Sequence, residues 1–538
     1  MSAFVIGVDV GTGSARAGIF NACGEMLASA SEPIAMWKPG PDFAEQSSDD
    51  IWRAICLVVR QSLQQAQVAP ENIAGISFDA TCSLVVLDEN GLPLAVNDEG
   101  DDARNIIVWM DHRALQETEE INARGHEVLQ YVGGKLSPEM QTPKLLWLKR
   151  NLPRTWKRAA QFFDLADYLT YRCTGNAARS LCTLVCKWTY LGHENRWDES
   201  YFAQNDLTDA LPRIGSDVRP MGENLGVLLP GAARELGLTQ SCKVGVGIID
   251  AHAGGLGVLG GVWENDETAS LKKLESALAL IGGTSNCHMA ASREAKFVPG
   301  VWGPYFGAMI PGLWLTEGGQ STAGSAIDWV IDNHANAPSL REAAAKSGRT
   351  VYQILNEEIA RLKSDAETIT RDIHVLPYFL GNRSPHADPY ARAVFDGISL
   401  DESLASQALL YYATIQAVAY GTRDIVSALN EKGYLIDTLF VTGGGTKNPL
   451  WLQEHADATG CTLILPHESE AVLLGSAILA ATAAGLHEDI YSAMKAMSRS
   501  GARIEPRSET QQFHAAKFAI FQEMYAQQKT RRAIMAKF

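Results

Sequence analysis

Two related α/β domains with a cleft between them are the fold class this sequence predicts, and three observations predict it. A strand, small-residue loop, strand device spans Val5 to Phe20 and carries Gly11-Thr12-Gly13-Ser14 at its tip. The device returns half a chain later: Ala277 to Ile281 leads into Gly282-Gly283-Thr284-Ser285, and Asn286 to Ala290 reads as the returning strand. Repetition at that spacing points to duplicated domains whose hairpins face one ligand across a cleft. Around each hairpin, helical and strand-like patterns alternate as α/β domains require.

Taken in order, the β-branched run Val5 to Val10, the return Ala15 to Phe20 and the turn Asn21 to Gly24 open the protein with three antiparallel strands. Ser48-Asp49 can cap a helix through about Ala66, with Ile51, Trp52, Ile55, Val58, Val59 and Leu63 on its apolar face, and a strand follows near Ile73 to Phe78. Asn90-Gly91 reads as a turn. In the second half a helix from Ser403 to about Leu429 precedes a strand Thr438 to Thr442 and the loop Gly443-Gly444-Gly445. Asn448-Pro449 are cap and first residue of a helix ending at Gly460; a strand Cys461 to Leu465 and a helix from about Glu468 to Ala484 follow. The polar stretch Trp263 to Glu267 reads as the boundary, giving domains 1–266 and 267–538, and Lys517 to Phe538 reads as a basic terminal helix docked on the surface.

Composition narrows the function. With 46 Lys+Arg against 62 Asp+Glu, a formal charge of -16, and no basic block longer than Arg531-Arg532, the chain lacks the electrostatic footprint of a nucleic-acid or anionic-membrane binder. The longest apolar stretch, Val472 to Leu486, falls short of the roughly 20 residues that span hydrocarbon. The first residues carry no basic segment ahead of an apolar one, and nine cysteines without a C-x-x-C pattern suggest reduced thiols, so cytoplasm is the expected compartment. Cys182 and Cys186 lie one helical turn apart, but with no His or Cys partner set beside them in sequence a metal site is not expected there. The assembly state stays open, a homodimer included.

The glycine loops offer consecutive backbone N–H groups and hydroxyls to an anion, which is a phosphate cradle by composition, although a tight hairpin alone would need the same residues. Arg16 stands where a dinucleotide fingerprint needs its third glycine, and the segment that follows reads as strand, so a Rossmann dehydrogenase is disfavoured. A Walker-type phosphate loop and a G-x-S-x-G elbow are both missing from the sequence.

Asp9-x-Gly-Thr-x-x-x-Arg16, the Gly283-Thr284 hairpin, Gly443-Gly-Gly445-x-Lys447-Asn448-Pro449, and Leu376-Pro-Tyr378 through Asn382-Arg383-Ser384-Pro385-His386 to Gly397 together resemble the FGGY carbohydrate kinases, in order along nearly the whole chain. The resemblance implies two ribonuclease-H-like domains of the actin, Hsp70 and sugar kinase superfamily closing on ATP and Mg²⁺. Thr81-Cys82-Ser83-Leu84-Val85 after Gly75-Ile-Ser-Phe-Asp79 resembles the D-ribulokinase branch, with D-ribulose as the implied sugar; ribitol, L-ribulose and D-xylulose are rivals within the class. An actin-like or Hsp70-like ATPase is the rival outside it, and has no need of a sugar set.

The residue roles follow from that resemblance. Asp250, after the apolar run Val244 to Ile249, is the implied catalytic base and a second metal candidate; helix N-cap is its other reading, and His252 is the alternative base. Asp9 would hold Mg²⁺ through water. Gly11, Thr12, Gly13, Ser14, Arg16, Gly283, Thr284 and Ser285 would surround the phosphates, with Arg16 open to a structural reading, and Gly444, Gly445 and Asn448 would adjoin adenosine. Thr81, Cys82, Ser83, Trp109, Asp111, Lys187, Asp250 and Glu317 make the sugar set, because a polyol is discriminated by donors and acceptors that are costly to leave unfilled. Asp111 could instead cap a helix near His112, Lys187 and Glu317 could be surface charges, and Trp109 could be core.

Overall fold

In the computed structural model, which describes residues 3–263, 267–363 and 368–538, the opening apolar run is a strand covered on both faces: β1 (Phe4–Val10) buries every residue from Val5 to Val10. It pairs antiparallel with β2 (Ser14–Asn21), which pairs antiparallel with β3 (Met26–Pro33), and on its other side runs parallel to β4 (Ile73–Ala80). Beyond β4 the sheet continues through β5 (Asn224–Val227), β6 (Lys243–Gly245) and β7 (Ile248–Ile249), with β6 and β7 parallel to β4 and β5 antiparallel to β6.

The second sheet repeats this plan. β8 (Ala277–Gly282) pairs antiparallel with β9 (Asn286–Ser292), and β10 (Trp302–Phe306) and β11 (Trp314–Gln320) extend that side. On the other side of β8 lie the parallel strands β12 (Thr438–Gly443) and β13 (Thr462–Pro466), closed by antiparallel β14 (Ser500–Ile504). In both sheets the central strand carries its hairpin partner on one side and a parallel strand on the other. The duplicated hairpins thus sit at equivalent places in two equivalent sheets.

Helix boundaries follow the capping chemistry. α1 (Ser48–Ala66) is capped by Ser47, one residue before the expected pair, whose hydroxyl accepts from the Asp50 N–H. α2 (Leu181–Lys187) and α3 (Asp250–Leu259) lie in the first half. α4 (Leu404–Glu431) is capped by Ser403, and α5 (Pro449–Thr459) starts with Asn448 as cap and stops at Gly460, whose φ of 73° only glycine adopts freely. α6 (Ala471–Ala483) begins one to three residues later than expected, and α7 (Gln511–Met535) begins six residues before the expected Lys517. α7 packs Phe518, Phe521, Met524 and Tyr525 against Leu376, Tyr378 and Tyr420.

Two helices join the halves. α6, which follows the second sheet's β13, packs on β1 and β4 of the first sheet, and α3, which follows β7, packs on β8 of the second. They cross closely because each places a glycine against the other's backbone: a Cβ on Gly257 would lie 1.9 Å from Ala471 O, and one on Gly475 would lie 1.9 Å from Ala253 O. Residues 264–266 of the expected boundary lie outside the described residues. Among the described residues, all nine cysteines are unpaired and no helix is long and apolar enough to cross a membrane.

Candidate active site

The loops come first, because they end the central strands. In the β1–β2 hairpin the Gly11 N–H donates to Ser14 O at 3.0 Å, and in the β8–β9 hairpin the Gly283 N–H donates to Ser285 O at 2.9 Å. A Cβ added to Gly13 or to Gly444 would meet nothing within 4 Å. Packing therefore does not demand glycine at these positions, whereas the close approach of a ligand to the backbone would. Gly443 differs: its φ is 97° and a Cβ would lie 2.2 Å from Gly282 O, so glycine is what lets the Gly443-Gly444-Gly445 turn lie against the second hairpin. Asn448 caps α5, donates to the Tyr411 hydroxyl at 2.7 Å and accepts from Asn356 at 2.9 Å, which fixes the far end of that turn.

Three carboxylates converge where β1, β4 and β7 end. Asp9 and Asp79 are register partners on neighbouring parallel strands, and Asp250 starts α3 directly after β7. Asp79 is fully buried; its Oδ2 accepts from the Ser476 hydroxyl of α6 at 2.5 Å, and its Oδ1 has no hydrogen-bond partner. Burial and the neighbouring Asp9 push Asp79 well above the usual carboxylate range, and burial with Asp9 pushes Asp250 up to about 6. Crowded carboxylates with an orphaned oxygen are a donor set that fits a hard divalent cation such as Mg²⁺. Arg16 reaches Asp9 through Nε at 2.7 Å and Glu470, just before α6, through a terminal nitrogen at 2.7 Å. Its guanidinium is engaged by carboxylates on both sides.

On the other side of Asp250 lies a second charged cluster. Lys187, at the end of α2, and Glu317, on β11, are each 3% exposed, which sets aside the surface-charge reading of both. The Lys187 ammonium sits 4.2 Å from the centre of the Trp302 ring, whose other neighbour is the Arg383 guanidinium at 3.8 Å. Glu317 accepts from Arg383 at 2.5 Å through Oε1 and faces His252 Nε2 at 3.3 Å through Oε2. Burial would raise the Glu317 carboxyl, but Lys187, His252 and Arg383 hold it well below its usual range. Burial likewise opposes charge on Lys187, and Cys82 with Glu317 outweighs it, leaving the ammonium above its ordinary value. The Tyr305 hydroxyl and Arg383 Nε are buried without partners beside these charges. They are vacant donors and acceptors of the kind a polyol fills.

The threonine and serine of the Thr81-Cys82-Ser83 turn bond each other at 3.0 Å, and Ser83 Oγ accepts from the Trp109 N–H at 3.1 Å. The Trp109 indole donates to Thr12 Oγ1 at 3.0 Å, tying this segment to the first glycine hairpin. Buried Lys144, not singled out by the sequence, donates to Val108 O at 3.0 Å and Trp109 O at 3.3 Å and so fixes that segment from behind; burial lowers it to about 8.

Sequence reasoning placed some residues differently. Asp111 is fully buried and committed elsewhere: it accepts from the Ala44 N–H at 2.6 Å and pairs with Arg113 through both oxygens. The next helix begins at Leu115, so Asp111 is not its cap. Cys182 and Cys186 do acquire a histidine, since α3 brings His252 Nδ1 to 3.1 Å from Cys182 Sγ. Asp79 is a site residue that the sequence-predicted set lacks, although a carboxylate inside an otherwise apolar strand, level with Asp9, is a readable signal. Arg383, which the sequence offers only within the Asn382 to His386 motif, joins Glu317 here.

Comparison with known proteins identifies the family. A model of the FGGY family of carbohydrate kinases, N-terminal domain, matches residues 4–257, and one of the C-terminal domain matches residues 278–484. An FGGY carbohydrate kinase domain-containing protein of Homo sapiens is 46% identical over 541 residues, covering 99% of this chain and 98% of that protein. A D-ribulokinase of Saccharomyces cerevisiae is 39% identical over 512 residues, covering 89% of this chain and 72% of that one. A solved xylulose kinase from Rhodospirillum rubrum matches with a TM-score of 0.78 at 25% identity, over 97% of this chain and 98% of that chain.

Proposed function

Since the chain belongs to the FGGY family of carbohydrate kinases, we propose that it transfers the γ-phosphoryl group of ATP to the terminal hydroxyl of D-ribulose, giving D-ribulose 5-phosphate. The observation that carries this reading is the buried Lys187, Glu317 and Arg383 cluster beside Asp250, with the unpartnered Tyr305 hydroxyl at its edge. A nucleotide-driven filament or chaperone gains nothing from such a set. The choice of D-ribulose is supported by the yeast D-ribulokinase and by the Thr81-Cys82-Ser83 turn.

Phosphoryl transfer passes through a loose transition state, so the protein's task is alignment and charge stabilisation. In this reading Lys187 and Glu317 hold the ketose by paired donor and acceptor contacts, and Arg383 keeps Glu317 ionised and pointed at the sugar. Asp250, between the sugar cluster and the glycine loops, takes the proton of the attacking hydroxyl as in-line transfer proceeds. Backbone N–H groups of Thr12, Gly13 and Thr284 receive the phosphates, Gly283 keeps its own N–H on Ser285 O and shapes the second loop, and Gly444 and Gly445 leave room for adenosine. Asp9, Asp79 and Asp250 would hold Mg²⁺, which when bound neutralises phosphate charge. Arg16, committed to Asp9 and Glu470, orients the metal carboxylate and does not itself grip phosphate.

A coupled assay of ATP turnover over pentuloses, hexuloses and pentitols tests the proposal. D-Ribulose should give the highest kcat/KM. A higher value for ribitol, L-ribulose or D-xylulose would replace the substrate, and turnover independent of any sugar would refute sugar phosphorylation.

A further inference from the structure

Helix α2 and helix α3 meet over a group of soft ligands that the phosphoryl transfer does not use. Cys182 and Cys186 stand one turn apart on the same face of α2, and His252 comes from the first turn of α3. All three are buried, and their ligand atoms lie within 4.8 Å of one another. Cys182 Sγ sits 3.1 Å from His252 Nδ1. The other ring nitrogen, Nε2, faces Glu317 at 3.3 Å.

That last contact separates this cluster from an ordinary buried cysteine. A histidine that binds a metal through one nitrogen characteristically donates the other N–H to a carboxylate, which fixes ring orientation and strengthens the ligand. Here the carboxylate is in place, the free nitrogen points at two sulfurs, and the S₂N donor set suits a thiophilic ion and not Mg²⁺.

We propose that Cys182, Cys186 and His252 form a binding site for a thiophilic divalent cation of the zinc type, placed directly behind the sugar cluster. Binding forms two metal–sulfur bonds and one metal–nitrogen bond. The proton shared by Cys182 and His252 Nδ1 and the proton of the Cys186 thiol leave to solvent, while the His252 Nε2–H stays on Glu317; no electron is transferred. A tetrahedral zinc holds sulfur and nitrogen roughly 3.5 Å apart, wider than the 3.1 Å here. Inserting the ion therefore pushes the His252 ring toward Glu317. Zinc occupancy disturbs ketose binding and leaves nucleotide binding alone.

The metal site stands on its own geometry; only its effect on the ketose rests on the function proposed above. The full-length reduced protein is titrated with Zn²⁺ and, for spectroscopy, with Co²⁺. One ion per chain is expected, with thiolate-to-cobalt absorption, release of both protons, and affinity lowered about tenfold or more in Cys186→Ser and Cys182→Ser, while Cys56→Ser binds as wild type. Absence of binding by the wild type, or equal binding by the Cys186→Ser variant, overturns the site. Should a variant fail to fold, the wild-type cobalt spectrum decides: bands lacking thiolate character overturn it. In kinetics, stoichiometric Zn²⁺ should raise KM for the ketose several-fold with KM for ATP unchanged. Zinc bound with no change in ketose KM overturns the coupling, and zinc bound with a change only in ATP KM counts against the assigned sugar site.

Discussion

Glu317→Gln tests the sugar cluster most directly, because glutamine keeps the shape of the side chain and removes only its charge. The carboxylate joins three cationic groups: Arg383 at 2.5 Å, His252 at 3.3 Å and, through the field, Lys187. In the variant both hydrogen bonds lose their ionised acceptor, and one carbonyl oxygen must serve two donors. A hydrogen bond to a charged group contributes about 1.5–3 kcal/mol, so loss of one such bond to the ketose lowers kcat/KM roughly ten- to a hundredfold. Most of the loss should fall on KM for the ketose, since the contact exists before and during transfer. KM for ATP should hold, because the glycine loops are separate from Glu317. Folding stability should also drop, by up to about 3–5 kcal/mol, the cost of breaking a buried ion pair from one side. The assay is initial-rate kinetics with each substrate varied at saturating concentration of the other, alongside a denaturant melt. An unchanged ketose KM with a raised ATP KM would refute the placement of Glu317 at the sugar.

Asp250→Asn should lower kcat by about 10²–10⁴ while calorimetry still detects ketose binding; full activity would remove Asp250 as the base. With Asp250 pushed up to about 6, kcat/KM should fall as pH drops through 6, since the protonated carboxyl accepts nothing, and a flat profile down to pH 5 would count against it. Gly13→Ala should melt like wild type, there being open space for the methyl, yet show a raised KM for ATP; Gly443→Ala should instead destabilise the fold, with φ at 97° and a carbonyl 2.2 Å away. Lys144, lowered from 10.5 to about 8 by burial, is neutral in the folded chain while still protonated in the unfolded one between those values. The unfolded state then binds more protons, so stability should rise with pH across that window by about 3 kcal/mol relative to Lys144→Met, and parallel profiles for the two proteins would refute it.

Local physics was legible in the sequence, and partnership across the chain was not. Asn448-Pro449 and Gly460 announce where α5 starts and stops because caps act on their own backbone. The glycine hairpins were readable for the same reason: a turn needs its small residues whatever surrounds it. The repeat gave the duplicated sheets. By contrast, Asp79 and Ser476 are 397 positions apart, and Trp109 and Thr12 are 97 apart. Periodicity says that a residue faces inward but not which side chain meets it there. Asp111 shows the cost: its residue type suits a sugar ligand, and only the fold reveals Arg113 and the Ala44 N–H already on its oxygens. The same limit hid His252 from Cys182, 70 positions away.

On the proposed function, a chain of net charge -16 has to hold a polyanion beside three carboxylates. Arg16, which reaches this place, is already engaged by Asp9 and Glu470. Lys187 and Arg383 are bound up with Glu317 and the Trp302 ring in the neighbouring cluster. Positive potential for the phosphates must then come from sources that a count of lysines and arginines does not register: the N–H groups of the two glycine loops, and a cation held by the carboxylates themselves. Burial, and behind it the repulsion of neighbouring carboxylates, pushes Asp79 and Asp250 above the usual carboxylate range. That repulsion is relieved when a divalent cation binds among them, so the feature that makes the chain look hostile to nucleotide is the one that would draw in the ion a nucleotide needs.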